Sequence, residues 1–100
     1  MLLIDREREF LTAFIHEATT DPFKGPATEE LHRRDIFYTD LPHLLNAYYQ
    51  EGHPDQQGFG GKQEPMPPAC PWPDRESALR RNREVEAQLG QIAKEAVSPG

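Results

Sequence analysis

Apolar residues recur at helical spacing in three stretches of the chain. Between Asp40 and Gly52 they fall at Leu41, Leu44, Leu45, Tyr48 and Tyr49. That i, i+3, i+4, i+7, i+8 pattern places one buried stripe on a helix. Asp40 can accept hydrogen bonds from first-turn N–H groups, and Pro42 sits where a missing N–H does little harm. Gly52 can take the left-handed conformation that closes a helix. Leu41 precedes a proline, which resists helical backbone, so it reads as a boundary residue. Upstream, Phe10, Leu11, Phe14, Ile15 and Ala18 predict a helix within 1–20, with Glu9, Thr12, His16 and Thr20 on its polar face. Asp5, Glu7 and Glu9 suit the N-terminal end of its dipole, and Asp21-Pro22 ends it.

Between these two helices the pattern is shorter. Residues 21–27 read as a loop in which Phe23 plugs the core edge. Thr28 with Glu29 and Glu30 marks the start of a short helix, 28–34. The capping box is imperfect, because Leu31 stands where Glu or Gln belongs. Ile36-Phe37-Tyr38 reads as a tight, buried connection into the helix at 41–51.

The third stretch is the longest. Ala78, Asn82, Val85, Leu89, Ile92 and Ala96 alternate spacings of four and three, a heptad-type seam within a helix at 75–97 that Asp74 can cap. Leu79 and Ala93 widen the seam, and Glu76 stands four residues before Arg80, the favourable order for a helix ion pair. Gly90 in mid-helix costs about 1 kcal/mol relative to Ala, which close approach of another backbone or an aromatic ring would offset. Residues 53–73 differ in kind: glycines cluster at 58–61 and prolines at 65–73. The first half is expected to be mobile and the second to favour polyproline II backbone. Phe59, Met66 and Trp72 would otherwise be exposed, which favours a strap laid over the helices.

Together these elements predict an all-α domain: a small helical bundle of three main helices plus one short helix, with a Gly/Pro-rich crossing segment. Its parts are 1–52 (N-terminal helical core), 53–73 (strap or linker) and 74–97 (amphipathic helix on the core or a partner). Composition sharpens this picture. Only 36% of the 100 residues are hydrophobic, so the core is thin and a partner or self-association would help it. A net charge of −6 opposes affinity for nucleic acid and anionic membranes and favours a basic partner. The single cysteine, Cys70, cannot form an internal disulfide, which fits a reducing compartment. The opening MLLIDRERE resembles neither a signal peptide nor a membrane span. A cytoplasmic protein without a cofactor is the expectation.

Candidate chemistry is sparse. Glu29-x-x-His32 and Asp40-x-x-His43 are carboxylate-x-x-His spacings that can each offer two metal ligands on one helix face, with Glu9, Glu17, Glu84 or Glu86 as further ligands. Against a metal-dependent enzyme, His43 lies opposite the apolar stripe and Asp40 is better used as a cap. Cys70 lies between prolines with no basic residue nearby, unlike a catalytic thiolate, and reads as a small residue packed under the strap. GFGGK at 58–62 lacks the Ser or Thr and the glycine spacing of a phosphate loop. PMPPACPWP suits either a proline-binding groove or the chain's own strap.

A helix-turn-helix over 28–51, with Arg33, Arg34, Arg75, Arg80, Arg81 and Arg83 as the basic set and Tyr38, Tyr48 and Tyr49 for stacking, would need a basic recognition-helix N-terminus. Here that position reads Asp40, Leu41, Pro42, His43. The seam on the last helix is the best interaction signal. The expected function is therefore non-catalytic protein–protein interaction, as a homodimer or accessory subunit. The expected interface is Asn82, Val85, Leu89 and Ile92, with Asn82 setting register, and Tyr48, Tyr49 and Trp72 as secondary contacts.

Overall fold

The first helix begins where the charges begin. In the computed structural model, which describes residues 2–22, 24–52 and 69–97, α1 runs Asp5–Thr20 and buries Phe10, Leu11, Phe14 and Ile15. It is followed by α2 (Pro26–Arg33), a 3-10 turn (Tyr38–Asp40), α3 (Pro42–Gln50) and α4 (Arg75–Val97). Among the described residues there is no strand, so the fold is all-α. No helix among them is long and apolar enough to cross a membrane. Phe23, residues 53–68 with Phe59, GFGGK and Met66, and the side chain of Ala96 lie outside the described residues.

The stripes meet in one core. Leu44, Ala47 and Tyr48 of α3 close against Phe10, Leu11, Phe14 and Ile15 of α1, with Ala27 and Leu31 from α2 and Ala78 and Val85 from α4. Helix α3 packs mainly on α4, and α1 on α2. Tyr48 is fully buried, its hydroxyl 3.2 Å from Thr12 Oγ1. Trp72 is buried and packs edge-on against Phe10 with centroids 5.6 Å apart. Arg34 holds it there, donating from Nη1 to the carbonyls of Trp72 (3.1 Å) and Pro73 (3.0 Å).

Several boundaries differ from those the sequence suggests. Helix α2 starts at Pro26, not Thr28, because Gly25 takes the N-cap place at φ +141°. A Cβ on Gly25 would collide with the Glu17 side chain, which lies against it. Helix α2 ends in a Schellman motif: Ile36 N–H donates to Leu31 O (2.8 Å) and Asp35 N–H to His32 O (3.0 Å). Asp35 takes the left-handed conformation at φ +63°, where glycine is usual. The chain then turns outward. Ile36 is buried, but Phe37 and Tyr38 are 44% and 53% exposed, so only the first residue of that run is the buried connection expected. Gly52 does close α3 in the left-handed region, at φ +75°.

Gly90 corrects another expectation. Nothing among the described residues lies within 4 Å of a Cβ built there, so no close approach requires the glycine. Its backbone is that of an ordinary exposed helix interior. Gly90→Ala is therefore expected to stabilise the protein by roughly 0.5–1 kcal/mol, read as a higher urea midpoint at unchanged slope.

Candidate interaction surface

Helix α4 divides into two halves with different surroundings. In the first half the seam faces inward: Ala78 and Val85 are fully buried and Asn82 is 8% exposed. Three polar side chains along it fasten the helix to the rest of the chain. Arg75 grips Asp40 with Nε on Oδ2 (2.9 Å) and Nη2 on Oδ1 (3.0 Å). Asn82 Oδ1 accepts from the backbone N–H groups of His43 (3.0 Å) and Leu44 (3.1 Å). Arg81 grips Glu7 with Nε on Oε2 (2.7 Å) and Nη2 on Oε1 (3.0 Å), and also donates to Leu2 O (2.8 Å).

The Asn82 contact replaces the cap expected from Asp40. The free N–H groups of the first turn of α3 are satisfied from another helix, a job that Asp40 cannot do from inside the 3-10 turn. Asp40 instead accepts from Phe37 N–H (3.0 Å) and binds Arg75. The same device recurs at α2. Glu17 of α1 accepts there from Ala27 N–H (2.9 Å), Thr28 N–H (2.8 Å) and the Thr28 hydroxyl (2.7 Å). At the chain start, Glu51 accepts from Leu2 N–H (2.7 Å), Leu3 N–H (2.9 Å) and Arg8 (3.3 Å). Helix α4 carries a local cap, with Asp74 Oδ1 accepting from Ser77 N–H at 2.8 Å.

Two of these carboxylates, Asp40 and Glu51, make the fold acid-sensitive. Burial pushes the Asp40 carboxyl upward, but Arg75 and the Phe37 N–H outweigh it and hold the carboxyl below its ordinary value. Burial likewise opposes ionisation of Glu51, and the N–H groups of Leu3 and Leu2, with Arg8, again win. A depressed folded-state pKa contributes stability that is complete above the unfolded value, about 4 for a carboxyl, and is lost as pH falls through the folded value. The urea midpoint is thus expected to stay level from pH 7 to about 5 and to fall below pH 4, less steeply in Asp40→Asn.

Beyond Val85 the surroundings change. Leu89 is half-buried against the core, Ile92 is 49% exposed, and residues 90–95 all face outward. The twelve residues from Glu86 to Val97 extend the helix by roughly 18 Å. Of the expected interface residues on this arm, Leu89 packs against the core and Ile92 is exposed. Asn82, Val85, Tyr48 and Trp72 are all buried within the chain, while Tyr49 is exposed on α3. A second apolar feature was not expected from the sequence. A pocket of about 360 Å³ lies between α1, α2 and the 3-10 turn, lined by Phe14, Leu31 and Ile36 with His32, Phe37 and Tyr38. The apolar run at 36–38 was its signal, misread as an entirely buried connection.

The proposed metal ligands do not gather. Glu29 and His32 are exposed, and His32 leans on the Phe37 ring at 6.1 Å. Both Asp40 oxygens are held by Arg75, and His43 Nε2 lies 3.7 Å from Glu86 Oε2. Glu17 is used as a cap and Glu84 meets Arg81 (3.3 Å). Among the described residues, no three His, Cys, Asp or Glu side chains form a metal-ligating group. The Cys70 thiol is pushed upward by burial, and it donates to Trp72 O at 3.3 Å, a setting for a packed thiol and not for a thiolate nucleophile. The first turn of α3, which a helix-turn-helix would present to DNA, is covered by Asn82 of α4. The chain matches no protein-family model, no curated protein and no solved structure.

Proposed function

We propose that this chain is a small, non-catalytic protein–protein interaction module that acts as a homodimer or as an accessory subunit through the distal half of α4. One observation carries the reading: the heptad seam continues past Val85, where Leu89 is partly buried against the core and Ile92 is 49% exposed. The seam is periodic over its whole length, and its first half buries Ala78, Asn82 and Val85. Apolar seam positions beyond that point are what a partner helix would cover. The net charge of −6 favours a basic partner if the arm meets another protein, and it disfavours nucleic acid. A cytoplasmic setting accords with the single, half-buried cysteine.

The test is the mass in solution. Wild-type protein at high micromolar concentration is expected to scatter light as a dimer, and Ile92→Asp as a monomer with an unchanged helical spectrum. Ile92 is a surface position, so the substitution is expected to alter stability by no more than about 0.5 kcal/mol. A monomeric wild type would exclude self-association. Co-purification from native cells with wild type and Ile92→Asp as paired baits would then decide the accessory-subunit form, since the variant must lose the partner.

A further inference from the structure

We draw no further inference here: the strongest candidate, the apolar pocket of about 360 Å³ between α1, α2 and the 3-10 turn, has Phe14 and Tyr38 in its walls with further contacts of their own, and nothing in the structure shows what covers it.

Discussion

Glu7→Ala is expected to destabilise the protein by about 3 kcal/mol, the largest loss for any single polar side chain among the described residues. Glu7 is 2% exposed and serves four donors. They are Ile4 N–H (3.2 Å), Trp72 Nε1–H (3.4 Å), and Nε and Nη2 of Arg81. Removing the carboxylate leaves the Arg81 guanidinium with only the exposed Glu84 carboxylate and the Leu2 carbonyl, and the Trp72 N–H without an acceptor. A buried ion pair contributes little beyond a well-packed apolar pair, but a stranded partner is costly. Arg81 keeps 22% of its side-chain surface in water, which limits the loss to the lower end of the usual range. Urea unfolding followed by circular dichroism measures it. The double variant Glu7→Leu/Arg81→Leu is expected to recover much of the loss. A loss below about 1 kcal/mol in Glu7→Ala would mean that the pair is not made in solution. Since a domain of this size has about 5–15 kcal/mol in all, the effect is not subtle.

That pair shows what a single sequence discloses and what it does not. Glu7 in the first turn of α1 was legible as an anion at a helix N-terminus, and Arg81 as one of a basic set. Their meeting, 74 positions apart, was not. Local features could be read because their physics is local. The stripe of Phe10, Leu11, Phe14 and Ile15 is an i, i+4 statement, and so are the α3 stripe, the Gly52 terminus and the Asp74 cap. The departures at the helix caps share one cause. A helix N-terminus shows that it needs an acceptor but not where the acceptor comes from. At α2 and α3 it comes from Glu17 and Asn82, on other helices. Asp40 looked like a local cap and is a tertiary ion-pair residue; Thr28 looked like a cap and is a capped residue. The seam on α4 was legible as a seam. Periodicity cannot say how much of it the chain consumes, and the line falls between Val85 and Ile92.

Asn82 decides between two uses of that seam. Inside the chain it is the acceptor for two N–H groups of α3, one of them in a fully buried hydrogen bond. Asn82→Leu fills the same space and leaves both N–H groups unpaired, so it is expected to cost about 2 kcal/mol. Asn82→Asp keeps an acceptor at that helix terminus, where negative charge is favoured, and is expected to recover most of the loss. The amide protons of His43 and Leu44 should lose their hydrogen-exchange protection in the Leu variant and keep it in the Asp variant. A register-setting Asn paired with its copy across a dimer behaves in the opposite way. There, Asn→Leu removes a buried polar group from an apolar seam, strengthens association and relaxes its specificity. With α3 capped by Asn82, the Leu variant should unfold more easily while Ile92→Asp alone changes the mass. A Leu variant that unfolded later and associated more tightly would move Asn82 out of the fold and into the contact between copies.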